Sequence, residues 1–323
     1  MSESKSHPTL SIGLPIYNGE DYMRESIDSI LNQTFTDFEL IISDNASTDA
    51  TQEICEAYVK QDPRVRYYRN DENMGVTWNF NRVFDLATGE YYKWIGHDDI
   101  HDHTYLEKCL NALREREKDG YVLCWPNSTM IKENGDFDWH MKEPPLRVES
   151  DKTHERFRDG TYIHHTSFAF YGVMRSDVLR DTCRLGQWMG SDYTMIGQMA
   201  LRGKLYLHPE YLFKRRYHPK NSYETCDQDY YKYAQFWVSK SKKDKILFPY
   251  WRISWETAKG VMRAPIPLTE KLRCLFYVAT SRNRLRGRSQ YLKDILYAFK
   301  LWRRRFSKSK HPQPETAQKT ETP

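Results

Sequence analysis

Glu90-Tyr91-Tyr92-Lys93-Trp94-Ile95-Gly96-His97-Asp98-Asp99-Ile100 reads as a strand that rises from the interior and delivers two adjacent carboxylates at its C-terminal end. Aromatic and branched residues favour the extended chain, and Gly96 lets the backbone turn where the pair emerges. Carboxylates are costly to bury unpaired, so Asp98 and Asp99 are expected to face a cation or solvent. The competing reading is a strand-end turn whose acids are solvated or cap the helix that follows near Tyr105. What lies upstream decides between them.

There, apolar runs alternate with amphipathic ones. Thr9 to Asn18 reads as a buried strand ending in a Pro15-Ile16-Tyr17-Asn18 turn, because Pro15 cannot donate to a central ladder and belongs near the strand's end. Tyr22 to Gln33 follows as a helix with Met23, Ile27, Ile30 and Leu31 on one face. Phe38 to Asp44 is a second strand, Asn45 to Asp49 supplies turn and cap chemistry, and a helix through Ile54, Tyr58 and Val59 stops at Pro63. Val65 to Arg69 makes a third strand, and a helix from Val76 to Ala87 returns to the acidic-pair strand. Such alternation implies βαβ units, a mostly parallel sheet, and a ligand crevice at the carboxyl ends of its strands. Pro15 to Asn18, Asp44, Asn73 to Gly75 and Asp98-Asp99 all lie at such ends. No GxGxxG or GxxxxGK[ST] follows the first strand. An anionic ligand therefore needs another holder, and a divalent cation on the acidic pair would bridge to phosphate oxygens.

Composition is that of a folded chain: 323 residues, 39% hydrophobic and 14% aromatic. No run of about 18 apolar residues is present to span a bilayer. The first seven residues lack the apolar core of a signal peptide, which points to the cytoplasm. The six cysteines include no CxxC, so neither a zinc site nor a disulfide framework is expected. Net charge is +5, unevenly spread: residues 263–310 carry +12, the last thirteen −1 and the first 262 −6. Residues 311–323 read as an unstructured tail.

Taken in order, Pro15-Ile16-Tyr17-Asn18, Asp44-Asn45-Ala46-Ser47-Thr48-Asp49, Asn73-Met74-Gly75 and Asp98-Asp99 resemble the motifs of family 2 glycosyltransferases, inverting enzymes with a GT-A fold. The resemblance covers about residues 8 to 220. It implies that Pro15, Tyr17, Asn18 and Asn73 line a nucleotide pocket and that Asp44 accepts a hydrogen bond from the base. It also implies that Asp98 and Asp99 form a DXD-type site for Mg2+ or Mn2+, with Asp99 as the metal ligand and Asp98 toward the donor. The chemistry agrees, since Asp44 only accepts, uracil or thymine offers one imino N–H, and Tyr17 offers a ring for stacking. A plain Asx turn before Thr48 is the alternative for Asp44.

In the second half, residues 132–160 are polar and aperiodic and read as a mobile loop over the site. His164 to Gly172 reads as an acceptor-facing strand, and adjacent histidines on a strand point to opposite faces, which argues against a shared metal. Met195, Ile196, Met199 and Ala200 give a helical face that ends at Gly203, with Asp192 in the first turn. An acidic residue there serves the family as catalytic base, and this implies the same for Asp192; the alternative is a helix cap. Lys204 to His208 reads as a strand, and His218 in Tyr217-His218-Pro219-Lys220 resembles a family ligand for the metal or diphosphate.

The expected fold is α/β, a GT-A-like, Rossmann-type, mostly parallel sheet flanked by helices, with a helical extension. Its divisions are a nucleotide-sugar-binding catalytic domain over 8–222, a basic helical extension over 223–310 and the tail. The expected activity is metal-dependent, inverting transfer of a sugar from a UDP- or dTDP-linked donor to an acceptor hydroxyl on a glycan or lipid-linked acceptor. A non-catalytic nucleotide-sugar binding module is the rival. Nucleic acid is not expected as a partner, because no reader motif accompanies the basic end. Leu275, Phe276, Leu292, Ile295, Leu296, Phe299 and Trp302 alternate with its cations, as in a helix at an anionic inner-membrane face; a solvated helix packing on the body is the alternative.

Overall fold

Leu10–Ile16 (β1) and Phe38–Asp44 (β2) are largely apolar and buried at every position, as central strands of a parallel sheet should be. In the computed structural model, which describes residues 7–162, 168–221, 226, 229–237, 248–281 and 289–309, they pair in parallel from Leu10↔Phe38 to Ile16↔Asp44. Val65–Arg69 (β3) adds to β2, and Tyr91–Trp94 (β4) to the other side of β1, both parallel. Met23–Leu31 (α1), Thr51–Gln61 (α2) and Val76–Asp85 (α3) make the crossovers. The period-2 geometry of β4 sends Tyr91 into one core with Leu10, Leu40 and Ile54, and Tyr92 and Trp94 into another with Val83, Phe170 and Met199. Trp94 stacks on Phe170 at 4.7 Å.

Beyond β4 the sheet becomes mixed. Its order is β3-β2-β1-β4-β8-β6-β9-β5. Val173–Arg175 (β8) lies antiparallel between β4 and Tyr121–Ile131 (β6); Lys204–Arg216 (β9) runs parallel to β6; Ile100–His101 (β5) is antiparallel to β9. The β5–β9 register, Ile100↔Lys214, lays the Asp98-Asp99 turn beside Arg215 and Arg216. Tyr105–Glu115 (α4) and Ser191–Arg202 (α7) cover the sheet's two faces through Leu106, Leu110, Met195 and Met199.

Three readings change. The span 132–160 is not an aperiodic loop: Phe137–Met141 (β7) pairs with β6, and Thr153–Tyr162 (α5) packs on α7. The stretch after Tyr162 is not a strand where it is described, since Phe168–Tyr171 is a 3-10 helix; residues 163–167, with His164 and His165, lie outside the described residues, as do Ser222 and 311–323. Lys204 to His208 is the start of one long strand, in which Pro209 sits at a register shift against β6 where Asn127 Nδ2 donates to its carbonyl at 2.8 Å.

After Ser176–Arg180 (α6), Tyr230–Phe236 (α8), Pro249–Arg263 (α9), Leu268–Ser281 (α10) and Ser289–Ser309 (α11) form the extension. It packs on the body: Val261, Ala264, Cys274 and Val278 share a buried cluster with Phe157 of α5 and Leu201 of α7. Asp294 of α11, itself fully buried, accepts the Tyr250 and Trp251 amides at the start of α9 at 2.9 and 3.4 Å and so caps that helix from outside it. The outer faces stay bare. Leu272 and Phe276 of α10 and Leu292, Leu296 and Phe299 of α11 are each more than half exposed. Among the described residues no helix is long and apolar enough to cross a membrane.

Candidate active site

The carboxyl ends of β1, β2 and β4 and the far end of β9 surround a cavity of about 560 Å³, the size of an ordinary small-molecule site. Two loops at its rim are laced together. Asn18 takes a left-handed φ of 51°, donates its amide to Ser47 Oγ at 2.9 Å and accepts from the Thr48 amide at 2.9 Å. Gly19 N donates to Thr51 Oγ1, and Asp49 accepts from Thr51 N and Glu20 N. This fixes Pro15 and the half-exposed Tyr17 at the cavity edge. Asn18 itself does not border the cavity; its side chain serves the loops.

Asp44 also lies below the surface. It is fully buried, accepts from Ser47 N at 2.8 Å and Tyr67 Oη at 2.8 Å, and has Arg69 at 3.7 Å. The local side-chain bond to the following turn goes to the third residue on, whereas the Asx turn weighed for it would reach the second, and the cavity wall beside it is made by Asn45. Asn45 donates to Asn73 Oδ1 at 3.0 Å and accepts from Met74 N and Asn70 Nδ2, while Asn79 brackets Ser43 through both its amide atoms. Asn73 also accepts from Gly75 N at 2.9 Å, and Gly75 holds a φ of 94°, which glycine adopts without strain. Asn45 and Asn79 escaped the sequence reading, although Asn45 sits inside the second motif.

The acidic pair is split by the turn. Gly96 is required there, since a Cβ would meet Asp98 Oδ1 at 2.7 Å and Asp99 Oδ2 at 2.8 Å. Asp99 points away from the cavity: it is fully buried, accepting from Arg215 Nη1 at 2.7 Å and from the Arg216 amide at 3.2 Å. Asp98 borders the cavity, with Oδ2 3.0 Å from His218 Nε2 and Arg215 3.9 Å from Oδ1. The placement expected for Asp99 therefore belongs to Asp98, because the β5–β9 register commits the second carboxylate to β9. Arg216 clamps the turn from below, donating to Asp98 O at 3.0 Å, Glu133 O at 2.5 Å and Glu25 Oε2 at 2.8 Å.

Electrostatics follow from this split. Burial opposes ionisation of Asp98, but Arg215, the His218 hydrogen bond and His97 outweigh it and hold the carboxyl well below the usual range. Burial pushes Asp99 up, and the neighbouring Asp98 charge adds to it against Arg215. Beneath them Lys93 is fully buried, its ammonium donating to Tyr171 O and standing 4.0 Å over the Tyr105 ring; burial brings it down to about 7.

A metal fits this donor set in part. Asp98 and His218 offer one carboxylate and one imidazole toward the cavity, and among the described residues no group of three or more His, Cys, Asp or Glu could hold an ion. Mg2+ and Mn2+ commonly take one or two protein ligands and complete their shell with substrate phosphate and water.

Asp192 borders the same cavity from the first turn of α7. The N-cap of that helix is Gly190, at φ 76°, and Asp192 lies two positions beyond it. Arg215, Lys220 and the rings of Tyr233, Phe236 and Trp237 complete the wall. These went unnoticed in the sequence because only the fold brings them there.

Comparison with known proteins bears on the chain's family and fold. A model of the family described as glycosyl transferase family 2 matches residues 11–182. A GalNAc(5)-diNAcBac-PP-undecaprenol beta-1,3-glucosyltransferase of Campylobacter jejuni is 25% identical over 209 residues, 64% of this chain and 65% of that protein. A Bacillus subtilis glycosyltransferase named for teichuronic acid biosynthesis, TuaG, is 35% identical over 109 residues, 34% of this chain and 43% of that protein. The chain thus spans less than two thirds of either relative. Among solved structures, S. aureus TarS 1–349 in complex with UDP-GlcNAc superposes with a TM-score of 0.61 at 15% identity, covering 91% of this chain and 81% of that one. That likeness speaks to the fold.

Proposed function

We propose a donor, an acceptor class and a division of labour for this chain from the premise that it belongs to glycosyl transferase family 2 and is a glycosyltransferase. The observation that carries the reading is one cavity bordered together by Tyr17, Asn73, Asp98, His218 and Asp192, residues drawn from five separate stretches of the chain. Residues 8–222 form the catalytic domain and 223–310 the extension.

The donor is a UDP- or dTDP-linked sugar. Tyr17 at the rim stacks on the base, and the amides of Asn45 and Asn73 meet the nucleoside. Asp44 reaches the base only if Tyr67 yields its hydrogen bond. His218, Arg215 and Lys220 face the diphosphate, and Asp98 with His218 holds Mn2+ or Mg2+. The cation, when bound, neutralises charge on the leaving diphosphate. Arg215 adds a permanent positive charge beside it, and Arg216 keeps the turn rigid. Asp192 takes the proton from an acceptor hydroxyl as that oxygen bonds to the anomeric carbon. The bond from that carbon to the phosphate oxygen breaks on the opposite face, the nucleoside diphosphate leaves, and the configuration inverts.

The acceptor is lipid-linked, in polysaccharide or glycan assembly; the Campylobacter relative is named for a PP-undecaprenol-linked substrate and the Bacillus one for teichuronic acid biosynthesis. The exposed apolar stripe of α11, interleaved with Lys293, Lys300 and Arg303, gives the extension the character of a helix lying on an anionic inner-membrane face. A thermal-shift screen of UDP-, dTDP- and GDP-linked sugars with Mn2+ tests the donor. Stabilisation by the uridine or thymidine series is expected, and a guanosine preference overturns the assignment.

A further inference from the structure

The cavity has two chemically different parts. Asn45, Asn73, Asp98, His218 and Lys220 offer charge and hydrogen bonds suited to a nucleoside diphosphate, whereas α8 contributes three aromatic rings. Tyr233 and Phe236 have nearly parallel rings, 6° apart with centroids 6.3 Å apart, and Trp237 meets both edge-on at 6.0 and 5.8 Å. The set is anchored, because Thr77 of α3 donates to Trp237 O at 3.1 Å. Phe236 is 37% exposed, and the indole N–H of Trp237 is buried with no hydrogen-bond partner among the described residues. Asp192 borders the same cavity.

We propose that Tyr233, Phe236 and Trp237 form the acceptor subsite and that the unit they receive is a pyranose ring. This rests on the donor reading above. A pyranose presents a C–H face that covers aromatic carbon and a rim of hydroxyls, one of which meets Asp192. A wholly apolar isoprenoid would cover the rings but offer no hydroxyl to Asp192. The lipid part of a lipid-linked acceptor therefore lies outside this subsite, with its sugar inside.

The test uses the full chain with saturating UDP and Mn2+. Saturation-transfer NMR is recorded on a mixture of methyl pyranosides of glucose, galactose and N-acetylglucosamine, with farnesol as a second probe. Calorimetry of UDP runs alongside. At least one pyranoside should receive saturation on its ring C–H protons. Phe236→Ala should weaken this at least about fivefold, the scale of one lost ring contact. Trp237→Ala, which removes a second ring, should weaken it too, with UDP affinity unchanged in both. Normal UDP binding with no pyranoside saturated, with farnesol alone saturated, or with signals equal in wild type and both variants overturns the subsite. Absence of UDP binding in the wild type overturns the donor reading instead.

Discussion

Asp98 Oδ2 and His218 Nε2 stand 3.0 Å apart across 120 positions of sequence, at the edge of a cavity that Asp99 does not touch. Neighbours in the chain thus have separate tasks. Asp99→Asn should act on stability, because it leaves the Arg215 guanidinium short of its buried partner. Breaking such a pair costs about 3–5 kcal/mol. Asp98→Asn should lose less stability, since Asp99 still faces Arg215, but should lose metal-dependent UDP affinity. Chemical denaturation and calorimetry on both variants check this, and the reverse pattern would return the ligand role to Asp99.

Ala46 holds a φ of 62° in the turn after β2. A left-handed conformation costs an L-residue about 1–2 kcal/mol, and glycine escapes most of it while losing about 0.5–1 kcal/mol of chain entropy. Ala46→Gly should therefore gain up to about 1 kcal/mol, and Ala46→Val, branched at Cβ, should lose stability. Thermal melts of the pair decide, and equal destabilisation by both would show that the turn is not strained.

Asp294 caps α9 from α11, and burial pushes its carboxyl up to about 6 despite the two amides and Tyr231 that favour the charge. An unfolded aspartate ionises near 4. Between about pH 4 and 6 the folded chain holds a proton that the unfolded chain has released, so this group's contribution to stability falls as pH rises through that window and is flat above it. Asp294→Asn removes the titration while keeping a cap. The difference in unfolding free energy between wild type and variant should drift across pH 4–6, and a constant difference would refute the assignment.

The outer faces of α10 and α11 should bind anionic vesicles. Cosedimentation with phosphatidylglycerol vesicles is expected at 0.1 M salt. At 1 M salt binding should fall, as the screening length shrinks from about 10 Å to about 3 Å. Phe299→Glu, at a side chain 56% exposed, should abolish binding without lowering the melting temperature. Equal binding to phosphatidylcholine, or none to either, would leave the helices as a solvated support.

How much of this was readable depended on whether the information was local. β2 and β3 were legible to their ends because β2 is a largely apolar run and β3 a β-branched and aromatic stretch, each between turn signals. β7 was missed because Phe137 and Trp139 alternate on a solvent-exposed edge strand, and α5 because, Phe157 apart, its buried side chains are those of Arg156, Asp159 and Thr161 rather than an apolar stripe. The motif turns were correctly gathered at one rim. Which carboxylate faces the cavity was not readable, because that depends on the Ile100↔Lys214 pairing, and the α8 rings reach the site only through tertiary packing.

Asp192 carries the most direct test. Release of nucleoside diphosphate from the stabilising donor is followed with the wild type and Asp192→Asn, using a lipid extract of the encoding organism as acceptor source. The account predicts acceptor-dependent release that is slower in the variant by about a hundredfold or more, the usual worth of a positioned base, with melting temperature and donor affinity unchanged. Release at the wild-type rate from a variant that melts and binds donor normally would contradict it.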